Sequence, residues 1–172
     1  MTYKVETIGQ KWGSKMTYDC DLDVIKTSFS AQSSSRLLVD ISKETASMWD
    51  DDDLFYEIND CLTESAEKNE FIIDEQGVMV CSTIVQGIDR PVHMFYRLSE
   101  PLKFKTSHAY KYVELIFVLL SPQEDGPLHL RRLSRITRLM QDQSFFERLR
   151  EIKDKDAIRA QFMYPDRDIK AA

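Results

Sequence analysis

Three histidines and three cysteines are the residues of this chain best suited to covalent chemistry: His93, His108 and His129, with Cys20, Cys61 and Cys81. Imidazole is largely unprotonated near neutral pH and is both a nucleophile and a metal ligand. A thiol is either only as its thiolate. The spacings decide against most of these uses. The cysteine count is odd and no CxxC pair occurs, so the thiols read as reduced side chains, not as a disulfide framework or a zinc site. His93 lies in an alternating stretch and His108 in a polar one. Neither has a spaced partner, and both read as structural or solvent-facing. His129 opens an apolar periodic segment that carries Arg131, Arg132, Arg135 and Arg138. On a helix, Arg131, Arg135 and Arg138 share a face. That face is either a dock for an acidic partner or phosphate, or simply a solvated face opposite the leucines. The run Asp50–Asp53 reads as a helix start, because consecutive aspartates point in different directions and no second ligand cluster accompanies them. No phosphate-binding glycine loop, dinucleotide fingerprint, nucleophile elbow or His-Glu-x-x-His is present. No metal and no cofactor is expected.

The elements that must position these residues follow from periodicity. Val24–Phe29 is apolar. Ser33, Ser34 and Ser35 then offer helix caps, and Leu37, Leu38, Ile41 and Thr45 recur at helical spacing, predicting a helix over 34–48. Leu54, Phe55, Ile58, Cys61 and Leu62 mark a second helix over 52–67. Val78–Val85 is rich in β-branched residues and predicts a strand, broken by Gly87 and Asp89-Arg90-Pro91. Val92–Leu98 predicts another strand, with Leu102–Phe104 a short third piece. Val113–Leu120 is almost wholly apolar, as a central strand buried on both faces should be. Leu128, Leu130, Leu133, Ile136, Leu139 and Met140 predict a helix over 126–141. Ser144 is expected to cap the next helix and Asp154 the last.

At 172 residues the chain is one domain long. Residues 1–17 are polar and weakly patterned and read as an N-terminal arm, with a domain over 18–165 and a tail over 166–172. The formal net charge is −6, so nucleic acid and anionic lipid gain no general attraction. The longest apolar run, Leu115–Leu120, is far too short to cross a membrane, and the N-terminus lacks the apolar stretch of a signal peptide. A cytoplasmic protein with no membrane insertion is expected.

The stretch RPVHMFYRLSEPLKF followed by YVELIFVLLSPQEDGPLHLRRLSRITRLMQDQSFFERLREIKDKDAI resembles the second half of the type-2 enzyme IIA domain of the bacterial phosphotransferase system. This is the fructose, mannitol and nitrogen-regulatory type. SFSAQSSSRLLVDISKETA is similar to the family's first strand and capped helix, and the resemblance covers about residues 20–165. It implies an α/β fold: a three-layer α/β/α domain with a small mixed β-sheet flanked by helices.

The family carries phosphate on a histidine that ends a glycine-rich approach of the type Gly-Val-Ala-Ile-Pro-His. The matching residues here are Gly77-Val78-Met79-Val80-Cys81-Ser82, so Cys81 takes the proline position and Ser82 the histidine position. A supporting second histidine matches His129. A serine hydroxyl is a weak nucleophile without a base, and its phosphate ester would be too stable to pass on. The resemblance therefore implies a binding module degenerate at its phosphoacceptor, with Ser82, His129, Cys81, Arg131 and Arg132 on the binding surface. Its implied partner is a protein: a transcription regulator, sensor kinase, transporter or HPr-like protein. Two alternatives stand beside it: a phosphocarrier using His129 or another residue, and a structural or oligomerising domain. Cys81 as a nucleophile is disfavoured, since a central-strand cysteine is usually inert.

Overall fold

The computed structural model describes residues 20–164. The expected arm and tail, and the outermost bounds of the expected domain, lie outside the described residues. Five strands make one mixed sheet in the order β1-β4-β5-β3-β2. They are β1 (Val24–Phe29), β2 (Ile72–Ile73), β3 (Val78–Val85), β4 (Val92–Lys105) and β5 (Tyr110–Pro122). β4 and β5 run antiparallel, as do β2 and β3, while β1 is parallel to β4 and β3 to β5. The apolar strand of the sequence is thus the middle strand. Its Val113 and Leu115–Leu120 are all buried, because helices cover both faces.

Side chains alternate across the sheet, and the two faces fill different cores. Met79, Cys81, Met94, Ile116 and Val118 pack beneath α1 (Ser34–Ala46) and α2 (Asp52–Glu67). Val78, Val80, Phe95, Leu115 and Phe117 pack beneath α3 (Gly126–Met140), α4 (Gln143–Glu151) and α5 (Lys155–Met163). The result is the three-layer architecture expected from the sequence. No helix of the described residues is long and apolar enough to cross a membrane.

The helix starts obey their caps. The Ser33 hydroxyl accepts from the Arg36 amide, and Asp51 Oδ1 accepts from the Asp53 and Leu54 amides. These bonds occupy donors that a helix leaves open at its first turn. Four expectations need correction. α1 ends at Ala46, two residues early, where the chain turns toward the Asp51 cap. α4 is capped by Asp142, not Ser144: the Asp142 carboxylate accepts from the Ser144 and Phe145 amides and from the Ser144 hydroxyl. A charged acceptor outcompetes a hydroxyl for those donors. The expected pieces Val92–Leu98 and Leu102–Phe104 are one strand, β4, whose register shifts between Arg97 and Leu102 around the donor-less Pro101. Finally, Leu128 and Leu130 are exposed, and α3 buries His129, Arg132, Ile136 and Met140 instead.

Candidate functional site

Ser82 lies on β3 with Leu119 of β5 opposite it, and His93 of β4 lies across Leu119 on the other side. Since Val78 and Val80 face the core under α3–α5, alternation sends Ser82 to that same face. The next row pairs Ile84 with Ser121. His129, in the first turn of α3, reaches down to this row: its Nδ1 is 2.8 Å from Ser121 Oγ. The fold therefore places Ser82 and His129 toward one end of one sheet face. Ser82 is half-buried, and no described side chain is hydrogen-bonded to its hydroxyl. His129 is 8% exposed.

Burial lowers the His129 pKa below the ordinary imidazole value, and the Arg132 guanidinium lowers it further. The ring is thus held neutral. Arg132 sits three residues on, on the same buried stripe of α3. Its Nη1 donates to Asp125 Oδ2 at 2.8 Å, just ahead of the helix. It is itself only 8% exposed, so it belongs to the wall of the site and not to its rim. Arg131 and Arg138 are exposed and Arg135 is half-buried. The resemblance places Arg132 on the binding surface; the structure buries its side chain against Asp125, which helix phase alone does not show.

Cys81 points to the opposite core and is fully buried, and burial pushes its thiol pKa strongly up. That environment makes an inert thiol. His93 is buried against Phe117, with ring centroids 6.2 Å apart. Its amide donates to Asp23 Oδ2 at 2.9 Å. His108 is exposed in the β4–β5 turn, far from this end of the sheet. Among the described residues no cluster of His, Cys, Asp or Glu could hold a metal ion.

Two features of the site went unread in the sequence. Ser121 is one, its hydroxyl orienting His129. Ile84, Leu128 and Leu130 are exposed apolar side chains on the strand and helix that carry Ser82 and His129. No described side chain is hydrogen-bonded to the Ser82 hydroxyl, while the His129 imidazole is neutral and tethered to Ser121.

The family model described as "Phosphoenolpyruvate-dependent sugar phosphotransferase system, EIIA 2" matches residues 24–163. A nitrogen regulatory protein of Bradyrhizobium diazoefficiens is 33% identical over 89 residues, which is 52% of this chain and 58% of that relative. The chain thus spans less than two thirds of the length of the curated relative it matches. Among solved structures, nitrogen regulatory protein IIA-Ntr of Neisseria meningitidis superposes with a TM-score of 0.67 at 23% identity, covering 81% of this chain and 92% of that one. The complex of enzyme IIAMTL with phosphorylated enzyme IIBMTL of Escherichia coli gives 0.54 at 12% identity, covering 83% and 94%. At these identities the structural likeness speaks for the fold.

Proposed function

Because the chain belongs to the type-2 enzyme IIA family of the phosphotransferase system, we propose that it is a regulatory binding module of that family which acts by docking a protein partner and does not relay phosphate. The observation that carries the reading is the composition of the site. Ser82, at the position the resemblance gives to the phosphorylated histidine, has no described side chain bonded to its hydroxyl, while Ile84 on its own strand and Leu128 and Leu130 on the helix of His129 are exposed. Phosphoryl transfer needs a nucleophile held in near-attack geometry. Docking needs exposed apolar anchors with a fixed polar centre. The site has the second set. The partner is a protein, as for the enzyme IIA of the Escherichia coli complex, whose partner is an enzyme IIB.

The test is intact-mass analysis after incubation with phosphoenolpyruvate, enzyme I and HPr. The expected result is an unchanged mass and no acid-labile phosphate. Stoichiometric phosphohistidine at His129 would establish the rival reading, an active phosphocarrier. For that, either Nδ1 must leave Ser121 or the reaction must use Nε2.

A further inference from the structure

Residues 99–105 of β4 and 110–113 of β5 extend past the ends of the neighbouring strands as a two-stranded ribbon. The β1 pairing stops at Leu98, and the β3 pairing begins at Leu115. One face of the ribbon is core: Leu102, Phe104 and Val113 are buried with the α1–α2 side. The outward face carries Lys103 opposite Tyr112 and Lys105 opposite Tyr110. Tyr110 is 58% and Tyr112 62% exposed. Lys103 Nζ stands 4.2 Å from the Tyr110 ring centroid.

Charge separates these lysines from their surroundings. Lys111 is paired with Glu75, and Arg150 with Glu114. Lys103 and Lys105 have no ion-pair partner among the described residues. The nearest carboxylate in the strand, Glu100, lies at the ribbon's base, before Pro101. Two adjacent exposed aromatic rings on rigid strands cost little entropy to engage and are the usual anchors of protein contacts.

We propose that this face is a second docking surface, for an acidic, extended peptide segment of a partner protein. Alternate residues of a strand are about 7 Å apart. Lys103 and Lys105 therefore match carboxylates two residues apart on an extended peptide, while the tyrosine rings cover its intervening apolar groups. A nucleic-acid strand fits less well: two cations on a chain of net charge −6 neutralise too little of a polyanion. Lysines at a sheet edge also discourage strand addition, but that role does not call for two exposed tyrosines. Tyr112 and Ser121 lie at opposite ends of β5, about 30 Å apart at the ordinary strand rise. The ribbon and the Ser82–His129 surface are thus separate, and one chain can engage both partners at once.

The experiment pans a displayed library of random dodecapeptides against the whole chain and measures the enriched peptides by fluorescence anisotropy. Expected are peptides rich in Asp and Glu whose affinity falls with salt. Their affinity should drop at least tenfold in Lys103→Glu/Lys105→Glu and in Tyr110→Ser/Tyr112→Ser, and should be untouched by Ser82→Asp. Thermal melting confirms that the variants fold. The proposal fails if no peptide is enriched, or if the binders lack an acidic excess or ignore the ribbon variants. It also fails if a thymidine 20-mer binds the ribbon more tightly than they do. Sedimentation showing a dimer that these variants dissolve would make the occupant a second copy and would overturn it too.

Discussion

His129 Nδ1 and Ser121 Oγ form a 2.8 Å hydrogen bond buried where α3 meets the end of β5. It pins the first turn of a helix to the central strand. It also occupies one of the two ring nitrogens, whichever of the two groups carries the proton. Protonation of the ring would add a positive charge beside Arg132, which is paired with Asp125. Burial and Arg132 both depress the pKa, so the folded state favours the neutral ring. The stabilisation is therefore full above the unperturbed value of 6.5 and is lost as pH falls through the lower, folded value. Between about pH 7.5 and 5.5 the melting temperature should fall further for the wild type than for His129→Gln. Equal slopes would mean that the ring titrates as it does in the unfolded chain.

Arg97 offers a sharper stability test. Its guanidinium donates to the carbonyls of Thr27, Leu149, Arg150 and Ile152 at 2.9, 2.7, 3.2 and 2.7 Å. It thereby ties β1 to the C-terminal end of α4, whose last carbonyls a helix leaves unpaired. Arg97→Met should cost about 2–4 kcal/mol in urea unfolding, since it strips charge-assisted bonds from several part-buried carbonyls. Arg97→Lys should recover less than half, because an ammonium lacks the planar fork.

Phe117 sits at the centre of β5 and contacts Phe162 at 5.2 Å between ring centroids. Phe117→Ala should cost about 3–5 kcal/mol, the usual range for a buried phenylalanine. A cost below about 1 kcal/mol would show that the core beneath α3–α5 is not organised around that strand.

Gly77 has φ +86°, and an added Cβ would stand 3.3 Å from the Tyr112 carbonyl oxygen. Its own carbonyl accepts from the Glu114 and Leu115 amides, starting the β3–β5 register. Gly77→Ala should therefore cost about 1–2 kcal/mol from the left-handed backbone alone, read as a shift in the urea midpoint.

These cases show which parts of the molecule a sequence can carry. Periodicity placed the helices and strands because burial on one or two faces writes itself into spacing. The middle position of Val113–Leu120 followed from its unbroken apolar run. The two-residue strand β2 left no such trace, since two residues have no period. Nothing in the sequence near Arg97 foretells its four bonds to carbonyls of two distant segments. At the candidate site, the resemblance is what singles out Ser82 and His129. Ser121, Asp125 and the inward fold of Arg132 were not, because they depend on how α3 lies across the sheet.

The last prediction concerns the Ser82 surface. If docking there follows the family's phosphorylation logic, a negative charge at Ser82 imitates the phosphorylated state and should disrupt a complex formed by the uncharged one. Ser82 is half-buried, with exposed Ile84 two residues on and its strand beside the helix that carries Leu128 and Leu130. A carboxylate placed among apolar anchors must be desolvated when a partner closes over it, without a cation supplied in return. Arg132 is already committed to Asp125. Ser82→Asp should lower the recovery of protein partners on the immobilised chain by at least several-fold, measured by quantitative mass spectrometry, and move the melting temperature little. Lys153→Asp, a charge change at an exposed position in the loop between α4 and α5, should leave the captured set unchanged. If Ser82→Asp retains the wild-type partners while removal of residues 1–17 loses them, the contact lies on the N-terminal segment, and the family surface is scaffold only.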